Sequence, residues 1–332
     1  MLQVISTSLR KGSPAVTDVA VSVGIASAEY NNYVVARNTS GVSAYSATGG
    51  ALSVASGRIS YMFGFKGQAL SVDTACSSSL VGSHVAATAI WTGASSAALT
   101  AGIGLLLNPD PTAMFQKAGM LAPDGRCKTL DSRADGYVRG ESASVLYYGN
   151  VILSNNKPGI ALLVSTAVNQ DGSSASLTAP NGPSQQEVMR AALSFSGTHP
   201  GEITNLQMHG TGTPLGDPIE IGAANAVLVD HQSRRSYISA STAKSWIGHT
   251  EAAAGATGLV HASIAASNVV TQGMIYYKVA RSKKSTHSNL YYCCRYSSFV
   301  QYEWTYSDHN ADADIKEWAS ILVWAKSVHS CS

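Results

Sequence analysis

Four residues set the chemistry open to this chain: Cys76, His209, Lys244 and His249. A cysteine thiolate can take an acyl group from a thioester, which splits a hard carbon–carbon bond formation into two easier steps. Two histidines at strand ends, beside small residues, can donate hydrogen bonds to a thioester or carboxylate oxygen. In that role they hold an enolate as its negative charge develops. Lys244 supplies positive charge that can orient an imidazole or hold a carboxylate. Singly, each has a plainer reading, since free cysteine is among the most buried residue types and a lone histidine is more often structural. Their recurrence at strand ends in one alternating chain favours the chemical reading.

The neighbouring sequence positions these residues. Ala69-Leu70-Ser71-Val72 reads as a strand, and Ser77 to about Trp91 as a helix, so Cys76 falls at a strand-to-helix turn. There the positive end of the helix dipole favours the thiolate, in the manner of a nucleophile elbow. Leu206-Gln207-Met208-His209 ends a short strand ahead of the Gly210-to-Thr213 loop, and a helix is expected over Ile219 to Val229. Tyr237 to Ala240 is a further strand, and Lys244 to Glu251 leads into an alanine-rich helix from Ala252 to Ala266.

Further strands are expected at Ala20 to Ile25, Ala98 to Ile103, Ser142 to Tyr148 and Ile160 to Ala167, with a helix at Val54 to Phe63 and a loop at Tyr45 to Gly50. Ser184 is expected to cap a helix running to Ser196, with Glu187 completing a capping box. The polar, glycine-punctuated stretch from Leu121 to Glu141 reads as a functional or interfacial loop. Strands and helices therefore alternate through two halves, each bringing reactive residues to strand ends.

Composition narrows the class. The 332 residues are 45% hydrophobic and 13% charged with a net charge of +2, a globular balance with no global electrostatic pull toward nucleic acid. No apolar run approaches the roughly 18 residues of a membrane span. The five cysteines (Cys76, Cys127, Cys293, Cys294 and Cys331) lack zinc-ligand spacing and suit a reducing compartment. No dinucleotide fingerprint, P-loop or metal-ligand cluster is apparent, so neither a bound cofactor nor a metal is expected. The opening stretch, Met1 to Val16, is basic and faintly leader-like, or else the start of a chain that begins inside a domain.

Three segments resemble the signatures of β-ketoacyl synthase domains, in the right order. They are Asp73-Thr74-Ala75-Cys76-Ser77-Ser78-Ser79, His209-Gly210-Thr211-Gly212-Thr213-Pro214-Leu215-Gly216-Asp217-Pro218-Ile219-Glu220, and Lys244-Ser245-Trp246-Ile247-Gly248-His249. The Ser77-Ser78-Ser79 and Asn169-Gln170-Asp171-Gly172 segments bring it nearest the polyketide synthase branch. The resemblance spans roughly residues 20 to 272. It implies an α/β, thiolase-like fold of five layers, α-β-α-β-α, from two similar halves, usually a homodimer.

By the same resemblance Cys76 accepts an acyl chain from an acyl carrier protein. His209 and His249 promote decarboxylation of a malonyl thioester and stabilise the enolate, while Lys244 holds the hydrogen-bond network. Thr211 and Thr213 match positions that bind the phosphopantetheine arm, and Glu220 and Asp217 are structural acids. The implied location is cytoplasmic, with a plastid as alternative.

The chain also departs from the family. An N-terminal piece of the first half is expected to be missing, Glu141-Ser142-Ala143-Ser144 stands where glycines are usual, and Gln68 where proline is common. All 30 glycines lie at or before Gly273 and all 10 prolines at or before Pro218. The family's C-terminal glycine-rich loop, which supplies an oxyanion donor, is therefore not expected in the tail. The division expected is residues 1–150, holding the cysteine; 151–273, holding both histidines; and a divergent tail at 274–332 that leaves the second half short of strands. One tail helix is expected near Asp314 and Glu317, with Ile315, Trp318 and Leu322 on one face, while the basic run Lys278, Arg281, Lys283 and Lys284 reads as a solvated face. A frameshift, unspliced intron or alternative end would account for such a tail. The second function class is a ketosynthase-like scaffold or carrier-protein-binding protein that does not condense, and a third outcome is an unstable gene product.

Overall fold

The structure is a computed structural model that describes residues 2–5, 17–37, 43, 45–150, 159–172, 179–229, 238–268, 274, 297–303 and 317–324. The first half contains strands β1 (Leu2–Ile5), β2 (Val19–Gly24), β3 (Ala69–Val72), β4 (Ala97–Gly104) and β5 (Ser142–Asn150). Its helices are α1 (Glu29–Arg37), α2 (Ser46–Gly50), α3 (Val54–Phe63), α4 (Ser78–Trp91) and α5 (Pro109–Lys117). In the second half the strands are β6 (Ala161–Gln170), β7 (Asn205–Gln207), β8 (Ser239–Ser241), β9 (Ser297–Glu303) and β10 (Glu317–Trp324). The helices there are α6 (Gly182–Ser196), α7 (Gly216–Ala224), α8 (Lys244–Ile247) and α9 (Ala254–Asn268).

All ten strands join one sheet in the order β3-β2-β4-β5-β1-β6-β10-β9-β7-β8. If each half's strands are counted from its own start, both halves run third, second, fourth, fifth, first. In each, a parallel trio (β3-β2-β4 and β8-β7-β9) is followed by two antiparallel neighbours. The antiparallel pair β1–β6 joins the halves. The doubled α/β plan expected from sequence is thus written in the strand order.

Helices α4 and α9 lie at the centre. Leu80, Val81, Ala86, Ala87 and Ile90 of α4 are buried, and so are Ser78, Ser79 and Ser83. A helix buried around its circumference needs small residues and polar groups that find internal partners. Ser83 Oγ donates to the Ser79 carbonyl, and Tyr148 Oη donates to Ser83 Oγ. Ser79 Oγ in turn accepts the Ala256 N–H of α9 at 2.8 Å. At Gly255 a Cβ would stand 2.5 Å from the Leu80 nitrogen, so only glycine permits this helix crossing. Both helices contact strands of both halves: α4 touches β2, β4, β6 and β10, and α9 touches β4, β5, β6, β7 and β9.

Several sequence expectations are corrected. Tyr45 to Gly50 is not all loop, because Ser46–Gly50 forms a short helix. Ser184 does not cap α6. Asn181 does so, accepting the Ser184 N–H, because Asn is an equally good cap and Pro183 suits the first turn better than the position before it. The helix expected from Ile219 begins at Gly216, and its final turn, Asn225–Val229, widens to a π-helix.

The tail differs most. Glu317–Trp324 is a strand rather than a helix, paired antiparallel with β6 and with β9. Trp318, Ile321, Val323 and Trp324 are β-formers, and a place between two strands outweighs a weak helical pattern. The expected shortage of strands in the second half is likewise overturned, since β9 and β10 take the places that β4 and β5 hold in the first. Asp314, Ile315, Tyr237, the basic run 278–284 and Cys293, Cys294 and Cys331 lie outside the described residues. Of the opening stretch, residues 2–5 form β1 inside the sheet.

Candidate active site

Cys76 sits where the sequence puts it, in a single 3-10 turn, Ala75–Ser77, between β3 and α4. Ala75 adopts φ 47°, a left-handed conformation that costs a non-glycine residue roughly 1–2 kcal/mol. The turn is held by its own polar side chains. Asp73 Oδ1 accepts the Ala75 N–H at 3.0 Å, Ser78 Oγ accepts the Thr74 N–H at 2.9 Å, and Ser77 Oγ donates to the Thr74 carbonyl at 3.0 Å. The result is a half-buried thiol at the N-terminus of a 14-residue helix, where a thiolate is favoured.

His209 follows β7, and His249 precedes the turn Glu251–Ala253 that opens α9. The Cys76 sulfur and a nitrogen of each imidazole all lie within 4.8 Å of one another. The two rings meet edge to face, with centroids 5.6 Å apart and planes at 89°. Such a trio could also hold a metal ion, although the Lys244 ammonium beside His209 works against a cation there.

Lys244, in the first turn of α8, is buried. Its Nζ donates to the His209 carbonyl at 2.7 Å and lies 3.4 Å from His209 Nδ1. An ammonium facing Nδ1 makes that nitrogen an acceptor and leaves the proton on Nε2. His249 reaches the same state differently, because its Nδ1 accepts the Glu251 N–H at 3.0 Å. Both rings therefore offer an Nε2–H donor.

Burial pushes both imidazoles well below their ordinary pKa, and Lys244 pushes the same way on each, joined by His249 at His209 and by Arg139 at His249. Neutral donors, rather than imidazolium ions, follow at neutral pH. Burial also lowers the Lys244 ammonium, against the opposing pull of Cys76, Glu220, Cys127 and Asp217.

The acids Glu220 and Asp217 hold backbone. Glu220 Oε1 accepts the His209 N–H at 2.6 Å and Oε2 the Gly210 N–H at 2.9 Å. Asp217 Oδ2 accepts the Leu130 N–H at 2.8 Å and Oδ1 the Gly212 N–H at 3.1 Å. Burial raises both carboxyls above their ordinary range, while these hydrogen bonds pull them back. Thr211 and Thr213 stand on the loop between, with Thr211 Oγ1 donating to Thr213 Oγ1 at 3.3 Å and Thr213 Oγ1 accepting the Gly216 N–H at 3.2 Å.

The loop from Leu121 to Glu141 wraps this cluster. Thr129 Oγ1 donates to the Gly210 carbonyl at 2.6 Å. Val138 and Gly140 pair with the two sides of the His249 backbone, at 2.7 and 2.8 Å, and the Tyr137 ring meets the His249 ring edge-on at 5.1 Å. Sequence reasoning marked this loop but missed its buried arginine. Arg139 Nη2 donates to Glu29 Oε1 at 2.6 Å and to Glu251 Oε2 at 2.9 Å, and Nη1 donates to Thr112 Oγ1 at 2.8 Å. The position of Glu251 two residues after His249 was a signal for it. Glu29, a single acid opening α1, gave none.

The family profile "Beta-ketoacyl synthase, N-terminal domain" matches residues 5–147, and "Beta-ketoacyl synthase, C-terminal domain" matches residues 160–275. Erythronolide synthase EryA2 of Saccharopolyspora erythraea is 42% identical over 273 residues, covering 82% of this chain and 8% of that protein. The pikromycin polyketide synthase component PikAII of Streptomyces venezuelae is 41% identical over 254 residues, covering 75% of this chain and 7% of that protein. The chain thus spans only a small part of these relatives. Among solved structures, the ketosynthase from module 6 of the bacillaene synthase of Bacillus subtilis 168 matches with a TM-score of 0.82 at 30% identity. That match covers 96% of this chain and 55% of the other.

Proposed function

The chain belongs to the β-ketoacyl synthase family, with polyketide synthase ketosynthases as relatives, and we propose that it catalyses decarboxylative Claisen condensation of thioesters on acyl carrier protein. The Cys76 thiolate attacks the carbonyl of an acyl thioester. The carbon–sulfur bond to the carrier breaks, the carrier leaves as a thiolate that takes a proton from solvent, and the acyl group rests on Cys76. A malonyl thioester on a carrier then loses carbon dioxide, and the bonding pair becomes an enolate. Its oxygen receives the Nε2–H groups of His209 and His249. The enolate carbon attacks the Cys76-bound carbonyl, a carbon–carbon bond forms, and the thiolate departs to restore Cys76.

Lys244 keeps His209 in its donor tautomer. Thr211 and Thr213 would meet the phosphopantetheine arm, while Glu220 and Asp217 hold the loop that carries them. The observation that carries this reading is the packing of a helix-terminal thiol and two neutral imidazoles within 4.8 Å.

The same reading includes the thiolase-like layering α-β-α-β-α, supported by α4 and α9 touching strands of both halves. Residues 1–150, 151–273 and 274–332 are its proposed divisions. A homodimer is supported by the edge position of β3, where Leu70 is exposed, and by exposed Tyr61 and Met62 on the adjacent α3. A cytoplasmic setting is proposed, and among the described residues no helix is long and apolar enough to cross a membrane.

The test is intact-protein mass after incubation with an acyl-phosphopantetheine thioester, followed by condensation with malonyl carrier protein. Wild type should gain one acyl group and Cys76→Ala none. Equal product from Cys76→Ala would refute the reading. A carrier-binding protein that does not condense is the second reading, favoured by the family profile match ending at residue 275. Condensation above the Cys76→Ala control would dispose of it.

A further inference from the structure

We propose that Arg139 is a positioning residue for His249, acting through Glu251 to fix which imidazole nitrogen carries the proton. The function read into His249 is that of the preceding section, so this inference rests on it. The connection starts at Glu251, which adopts φ 52° and so turns its backbone N–H back onto His249 Nδ1 at 3.0 Å. That N–H makes Nδ1 an acceptor and places the proton on Nε2. A left-handed glutamate does not hold itself in place, because a non-glycine side chain disfavours that conformation.

The holding force comes from the carboxylate end. Both oxygens of Glu251 are taken by the Arg139 guanidinium, through Nε and Nη2, in a fork-to-fork pair. Arg139 is itself fixed on every side. Glu29 Oε1 accepts from Nη2 at 2.6 Å, Thr112 Oγ1 accepts from Nη1 at 2.8 Å, and the guanidinium lies 5.4 Å from the centroid of the Phe115 ring. Glu29 is anchored in turn, its Oε2 accepting the N–H groups of Leu107 and Asn108 at 3.1 Å each. The Arg139 and Glu29 side chains are only 3% and 4% exposed, so this pair is shielded from solvent.

The main chain of the same segment completes the clamp. His249 donates to the Val138 carbonyl and accepts from the Gly140 N–H, which brackets Arg139 against the histidine. One arginine therefore links the backbone that aims the ring to the turn that sets its tautomer. Lysine cannot replace it, since a single ammonium cannot engage two carboxylates in a planar fork.

The test reads the tautomer directly, by two-bond proton–nitrogen correlation spectra of the full chain labelled with 15N-histidine. A His249→Asn spectrum assigns the signal. Wild type should show His249 as the Nε2–H form. Arg139→Lys and Glu251→Ala should both gain Nδ1–H form, with malonyl decarboxylation falling about ten- to a hundredfold in kcat. KM and the acyl loading of Cys76 should stay within about twofold, since neither uses that proton.

Glu251→Gly should restore the tautomer relative to Glu251→Ala, because glycine adopts the left-handed turn unaided. An unchanged tautomer in Glu251→Ala, or no difference between Ala and Gly, overturns the proposal. If Arg139→Lys does not fold, the Glu251 pair decides. A wild type that neither loads nor decarboxylates would remove the proposed function while leaving the tautomer result readable.

Discussion

Replacing Glu220 with alanine would remove the acceptor for two buried backbone donors at once. Its carboxylate takes the His209 and Gly210 N–H groups at 2.6 and 2.9 Å, and the residue is 2% exposed, so water does not readily substitute. Each orphaned buried donor costs about 1–3 kcal/mol, so Glu220→Ala should lose about 2–6 kcal/mol of stability. At about 2–4 °C per kcal/mol for a domain of this size class, Tm should fall by about 4–24 °C. Glu220→Gln keeps one acceptor oxygen but turns an amide donor toward a backbone donor, so it should fall between wild type and alanine. Differential scanning fluorimetry measures the shift. In the fraction still folded below Tm, acyl loading of Cys76 should persist, because the elbow has its own hydrogen bonds. Decarboxylation should drop, because the backbone that carries His209 has lost its anchor. A Glu220→Ala protein melting within about 1 °C of wild type would refute the claim that this acid holds the histidine loop.

The depressed pKa of His249 gives a prediction with a definite sign. A group lowered in the fold contributes stability that is complete above its unfolded value of 6.5 and lost as pH falls below it toward the folded value. His249→Gln should therefore flatten the acid side of the stability curve by about 1.4 kcal/mol per pH unit below 6.5, read from urea midpoints. An unchanged slope would mean that His249 is not held neutral by burial. Gly255→Ala would drive a methyl group into the Leu80 backbone and part α4 from α9, costing about 1–3 kcal/mol in urea melts. A neutral effect would show the helix crossing to be looser than described. Iodoacetamide at neutral pH should alkylate half-buried Cys76 and spare buried Cys127, whose thiol burial pushes up, until urea unfolds the chain. Peptide mapping that found Cys127 modified first would contradict this order.

Much of this protein is legible in the chain because its local signals are strong. Ala69–Val72 and Val54–Phe63 form the strand and helix read from their own patterns, and Cys76 lies at the turn that the adjoining strand and helix define. The glycine and threonine loop after His209 is equally evident. Such features depend on periodicity and turn chemistry within a dozen residues.

Other features are decided only by packing. No local pattern tells Leu2–Ile5 to sit between β5 and β6, or Glu317–Trp324 to abandon a helical face for a place between β6 and β9. Nothing near Glu29 announces that it will meet Arg139 across the fold. The chemistry of the site belongs to this second kind. His209 and His249 are ordinary histidines in the sequence, and they become neutral Nε2–H donors because burial and a neighbouring ammonium disfavour their charged forms. Residue types at strand ends identify the reacting groups, but protonation and aim depend on dielectric and on partners remote in sequence, which exist only once the two halves have closed around α4 and α9.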